Sequence, residues 1–252
     1  MITADTHLVT ALYPSPNFGE RRGVARPDFL LLHYTGMQSC ERAIWWLANP
    51  QANVSCHYVV DCDGRITQMV AEADRAWHAG AGTWQGYTDI NSRSIGIEVH
   101  NPGHDMGYPE FPEAQMQAVV AIGRDIVTRH GIPAAHVLAH SDIAPSRKID
   151  PGEKFDWQRL AAAGVGHWVA PVPVDPFDEG LGLGASDRLV ADTQLQLAVY
   201  GYGIATSGIL DAASMTVLRA FQRRFRPARI DGRLDRSTGE TLARVVGGAA
   251  AG

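Results

Sequence analysis

Residues 166–186 read GHWVAPVPVDPFDEGLGLGAS, three prolines followed by three glycines in alternation. Proline lacks the amide hydrogen that a helix or central strand needs, and glycine makes either costlier in chain entropy. The segment can therefore propagate neither element and reads as a connector between domains. It divides the 252-residue chain into a long part, 1–165, able to close a sizeable core, and a short part, 187–252.

The two parts are patterned differently. Upstream, four apolar runs bounded by turn residues read as buried strands: DFLLLHY from Asp28, HYVVD from His57, SIGIEV from Ser94 and HVLA from His136. Between the last two, Met116, Val119, Val120, Gly123, Ile126 and Val127 recur at helical spacing, and Gly131 and Pro133 stop the pattern. A second helix is predicted over Glu41–Leu47, packing Ile44 and one of Trp45 or Trp46. Strands separated by helices predict an α/β domain, with helices flanking a central mixed β-sheet.

Downstream, GILDAASMTVL from Gly208 returns as GRLDRSTGETL from Gly232. In each copy a glycine turn and a leucine lead to an aspartate, Asp211 or Asp235, that can cap the helix behind it. With a first helix over about Asp187–Val199 offering Leu189, Val190 and Leu197, this predicts a small all-α three-helix domain. Its second helix buries Leu218, Phe221 and Phe225, its third Leu242 and Val245. Such a unit is too small to carry its own catalytic pocket.

A net charge of −5 and a pI near 6.0 exclude a protein built around nucleic acid. No apolar run reaches the length of a transmembrane segment. Met1–Pro16 lacks the basic and apolar regions of a signal peptide, so the chain as written reads as cytoplasmic. Periplasm or cell envelope is the alternative, through a removed leader or non-classical export. Cys40, Cys56 and Cys62 match neither a paired-thiolate zinc site nor a disulfide framework. They read as small packed side chains, with one Cys56–Cys62 bridge left open for an oxidising compartment.

Of the ten histidines, position singles out two. His33 and His140 end predicted strands, and Glu98 lies in a third; sites in open α/β sheets gather at strand ends. In LAHSDIAPSRKIDPGEKFDW, from Leu138, Asp150 follows His140 across a loop stiffened by Pro145 and closed by Pro151-Gly152. That loop can return the carboxylate to the imidazole. With His33 the set becomes two nitrogens and one oxygen, which suits Zn²⁺ and leaves a fourth position for water. Spacing alone also allows a capped loop with a surface aspartate.

The segments LLHYT, SCHYVVD, RAWHAG, SIGIEVHN and HSDIAPSRKIDPG, in this order over Arg26–Trp157, resemble the AmpD-like zinc-dependent N-acetylmuramoyl-L-alanine amidases. The resemblance implies one zinc per chain, held by His33, His140 and Asp150. It further implies Glu98 as catalytic acid/base, Lys148 as stabiliser of the developing oxyanion, and Tyr34, His57, Trp77 and His78 near the cleft as possible substrate contacts. His7, His100, His104, His130, His136 and His167 are read as surface or structural. Residues Arg188–Val246, through AFQ and DGRLDRSTGETL, resemble the three-helix peptidoglycan-binding domain appended to many wall hydrolases. The expected partner is peptidoglycan or a muropeptide fragment, with or without a 1,6-anhydro sugar. Rival readings are a non-catalytic peptidoglycan-recognition protein, and a zinc D,D-peptidase or lysozyme-type glycosidase. The last suffers from Glu98 lacking a matched second carboxylate.

Overall fold

Five of the six residues of FLLLHY are buried. A strand hidden on both faces belongs at the centre of a sheet covered on both sides, and the computed structural model, which describes residues 2–249, places it there. The strands are β1 (Ala11–Leu12), β2 (Phe18–Glu20), β3 (Phe29–Tyr34), β4 (Tyr58–Val60), β5 (Ile66–Gln68), β6 (Asp74–Ala76), β7 (Ser94–Val99) and β8 (Val137–Ala139). The helices are α1 (Cys40–Leu47), α2 (Ile90–Arg93), α3 (Glu113–His130), α4 (His140–Ile143), α5 (Trp157–Ala162), α6 (Arg188–Tyr200), α7 (Ala212–Phe225) and α8 (Arg236–Ala249). Six strands form a mixed sheet in the order β1-β5-β4-β7-β3-β8, antiparallel only between β4 and β5, and β2 and β6 make a separate antiparallel ribbon. The expected α/β architecture and the three C-terminal helices are present.

The two faces of the sheet have different covers. Leu30 and Leu32 pack with Met116, Val119, Ile122 and Ile126 of α3 and Leu160 of α5. On the opposite face Phe29 and Leu31 join Ala79, Trp84, Leu138 and Ile143 in one cluster with Val190, Leu197, Phe221, Phe225, Leu242 and Val245 from α6, α7 and α8. The C-terminal helices thus share a hydrophobic core with the sheet. They cover the beginning of β3 and leave its end, where His33 alternates to the same face, open.

Local chemistry sets the helix ends. Ser39 Oγ accepts from Arg42 N–H ahead of α1, and Gly131, at φ 66°, closes α3 with its N–H on Val127 O. The internal repeat has a physical basis. Asp211 and Asp235 accept from Ser214 N–H and Thr238 N–H at the starts of α7 and α8. Each preceding glycine turn is braced by a glutamine of the helix before it, Gln194 on Gly208 N–H and Gln222 on Gly232 N–H, each at 2.8 Å.

Residues 166–186 hold no helix and only isolated bridges, Leu181 to Leu234 and Ser186 to Ile209. They lie strapped along α8: Ser237 Oγ donates to Val172 O, Val172 N–H to Thr241 Oγ1, and Arg244 to Ala170 O.

Several expectations need correction. Neither tryptophan of α1 packs inward: Trp45 is 59% and Trp46 40% exposed, and the helix buries Cys40, Ala43 and Leu47 instead. Leu189 is half exposed, while Val190 and Leu197 fill the core. Cys62 is exposed where a packed side chain is expected; Cys40 and Cys56 are buried, all three cysteines are free, and the bridge left open between Cys56 and Cys62 is not formed. Strands β1, β2, β5 and β6 and helices α2, α4 and α5 were not foreseen. Among the described residues no helix is long and apolar enough to cross a membrane.

Candidate metal centre

Parallel register assembles the site. Along β3 and β7 His33 stands opposite Glu98, and along β3 and β8 Leu32 stands opposite Ala139, so His140, the next residue, opens α4 beside His33. Ser141 N–H then bonds Asp150 O at 3.1 Å, closing the loop and returning Asp150 to His140. His33 Nδ1 lies 2.9 Å from His140 Nδ1 and 3.2 Å from Asp150 Oδ2, and His140 Nδ1 lies 3.0 Å from the same oxygen. All three side chains are buried.

The surrounding hydrogen bonds fix the ring protons, because carbonyl oxygens only accept. His140 Nε2–H donates to Ala79 O at 3.0 Å, which leaves Nδ1 bare. Ser94 O–H donates to Ile90 O at 2.7 Å, and Ser94 Oγ in turn accepts from His78 Nε2–H at 3.2 Å. His78 Nδ1 is then free to accept from His33 Nε2–H at 3.0 Å, which leaves His33 Nδ1 bare as well. Two imidazole lone pairs and a carboxylate oxygen therefore converge with no proton between them. Burial, with His140 beside it, lowers the His33 pKa to about 4. Three buried acceptors in contact repel one another unless a cation sits among them, and an N₂O donor set with fixed tautomers fits zinc.

Gly96 permits the relay. A Cβ there would lie 2.5 Å from His78 Cγ and Nδ1, so only glycine in β7 lets that imidazole reach His33. Glu98 stands next to the three donors on the same face. Its Oε2 is buried without a hydrogen-bond partner among the described residues, and burial and then Asp150 push its pKa well up.

A cleft of about 550 Å³ opens over these groups, walled in part by Tyr34, Trp77, Glu98 and Lys148. Tyr34 is partly exposed and its hydroxyl meets His104 Nδ1 at 3.1 Å. Trp77 is half-buried at the wall. The positive charge of Lys148 is felt at both His33 and Glu98. His78 reaches the cleft edge but is spent on orienting His33. His57 does not belong to the cleft: it is fully buried, its Nδ1 accepts from Gly96 N–H at 3.0 Å and its Nε2 faces Asp74 O at 3.1 Å. Sequence reasoning missed Arg147, which borders the cleft and donates to Ala79 O and Ala81 O at 2.9 and 2.7 Å. It also missed Trp46 and Asp105 on the wall. Arg147 sits in the same RKID string as Lys148, but a loop arginine carries no mark in sequence of which way it turns.

Known proteins resemble this chain in sequence and in fold. The profile of the family described as N-acetylmuramoyl-L-alanine amidase matches residues 23–153, and that of a peptidoglycan binding domain matches residues 186–242. The N-acetylmuramoyl-L-alanine amidase AmiD of Escherichia coli (strain K12) is 36% identical over 225 residues, covering 84% of this chain and 80% of the relative. Its structure in complex with the substrate anhydro-N-acetylmuramic acid-L-Ala-D-gamma-Glu-L-Lys superposes with a TM-score of 0.72 at 32% identity, covering 92% of this chain and 97% of the other. AmpDh3 of Pseudomonas aeruginosa, in complex with an anhydromuramic pentapeptide, gives a TM-score of 0.73 at 30% identity and covers 97% of both chains. By sequence, fold and extent of match, the chain belongs to the N-acetylmuramoyl-L-alanine amidase family.

Proposed function

We propose that the protein hydrolyses the amide between N-acetylmuramic acid and the L-alanine of the stem peptide, in peptidoglycan or in its 1,6-anhydro fragments, with one zinc ion held by His33, His140 and Asp150. The observation that carries this reading is the convergence of three proton-free donors beside Glu98, whose Oε2 is buried without a hydrogen-bond partner among the described residues. The anhydromuropeptides held by the AmiD and AmpDh3 structures support the substrate class.

When bound, such an ion supplies Lewis acidity and lowers the pKa of a water toward neutrality. Glu98 accepts the proton of the attacking water and returns it to the departing L-alanine nitrogen. Lys148 extends its ammonium toward the substrate carbonyl oxygen as that atom gains charge. Tyr34 and Trp77 form walls against which the muramoyl sugar and stem peptide lie. In this reading 1–165 is the amidase domain, 166–186 its connector and 187–252 the peptidoglycan-binding domain.

Mass spectrometry of digested sacculi and of an anhydromuropeptide tests the assignment. Free stem peptides beginning at L-alanine are expected. New reducing sugars or free D-alanine would overturn it.

A further inference from the structure

The outward face of α1 is unusual for an eight-residue helix: its two adjacent tryptophans both stand in solvent, ring centroids 6.5 Å apart and tilted by 39°. Exposed indoles are costly in water and mark contact surfaces when they cluster. Here they wall a second groove of about 380 Å³ with Arg42 and Met106. That groove is continuous with the metal cleft, because Gly36, Met37 and Trp46 line both.

We propose that this groove is a glycan subsite, in which Trp45 and Trp46 stack on the sugar rings that flank the muramoyl residue in an uncut strand. The proposal rests on the amidase reading of the cleft. A pyranose ring offers an apolar C–H face ringed by hydroxyls. Indole faces match the first, and Arg42 and Gln38 on the groove wall supply polar partners for the second. Continuity with the cleft supplies the register: a muramoyl residue over the metal donors sends its neighbours along the wall that Trp46 shares. A lipid surface is a poorer occupant. Arg42 is the single charged side chain of the groove, and the chain carries a net charge of −5, whereas interfacial helices rely on several cations.

The test compares kcat/KM on intact sacculi with that on a soluble muropeptide carrying no neighbouring sugar, for the wild type, Trp45→Ala and Trp45→Phe. Trp45 does not line the metal cleft, so Trp45→Ala is expected to leave fragment hydrolysis unchanged and to lower the sacculus rate about five- to tenfold. Trp45→Phe should recover most of the loss. An unchanged sacculus-to-fragment ratio would overturn the subsite. So would loss of binding to anionic vesicles with unchanged sacculus kinetics, or a shift in sedimentation showing that the pair joins two copies. Absence of amide cleavage on both substrates would instead remove the amidase reading, and is told apart by the wild-type rate alone.

Discussion

Arg224, on α7, closes a fully buried ion pair with Asp142, two residues beyond His140. The same guanidinium donates to Val137 O at 2.8 Å and lies 4.3 Å over the ring of Trp157. Asp142 is further held by Tyr202 O–H at 2.6 Å and accepts from Ala139 N–H at 2.8 Å. The turn that carries His140 is therefore tied to the C-terminal helices. Removing one member of a buried pair strands the other charge. Arg224→Leu should cost about 3–5 kcal/mol in urea unfolding. Pairing it with Asp142→Leu should recover part of that loss, and recovery of none would show that the pair contributes nothing of its own.

Glu98→Gln keeps the shape of the side chain and removes its ability to carry the proton. We expect kcat on an anhydromuropeptide to fall by about 10²–10⁴-fold while zinc content by elemental analysis stays at one per chain. His140→Ala and Asp150→Ala should lose both zinc and turnover. Undiminished hydrolysis by Glu98→Gln would move the proton transfer to another group.

Gly96→Ala forces the His78 imidazole away from β7 and takes from His33 Nε2–H its acceptor. Outer partners of metal-binding histidines typically govern affinity by about 10–100-fold. Competition with a chromogenic chelator should show a loss of zinc affinity in that range with near-native circular dichroism. Equal affinity would mean that the relay does not set the tautomer.

His57 makes the fold acid-sensitive. Burial first, and Arg21 second, lower its pKa to about 3, against about 6.5 in an unfolded chain. Between these values the unfolded state binds the extra proton, so stability falls as pH falls. From pH 7 to 5 the loss from this group is about 2 kcal/mol. Urea midpoints of the metal-loaded protein should decline over that window, and His57→Gln, lower at pH 7, should decline less steeply. Parallel slopes would remove His57 as the source.

The strands carrying the site were legible because each apolar run holds, or is followed by, a polar residue with no structural reason to be there: His33 after FLLL, Glu98 within SIGIEV, His140 after HVLA. The loop to Asp150 was legible through its prolines. What escaped has a common cause, since it depends on which way a side chain turns once distant elements meet. Arg224 lies in QRRF, where nothing marks which arginine turns inward until α7 is laid against Trp157. One of Trp45 and Trp46 reads as core alongside Ile44, yet both stand exposed. Gly96 shows no role in the sequence until His78 is seen against it. Strand β1 has two residues, too few for any period to show.

The strapping of residues 166–186 along α8 changes what the C-terminal unit can contribute. A limp tether would let a gripping unit sweep a volume and deliver the enzyme anywhere within it. Splinted to α8 and fused through the core to β3, the two surfaces keep one bearing and one offset. In the proposed reading, whatever segment of wall the helical unit grips, the cleft meets its neighbour at a set distance, as the jaw of a caliper does, rather than ranging over a neighbourhood.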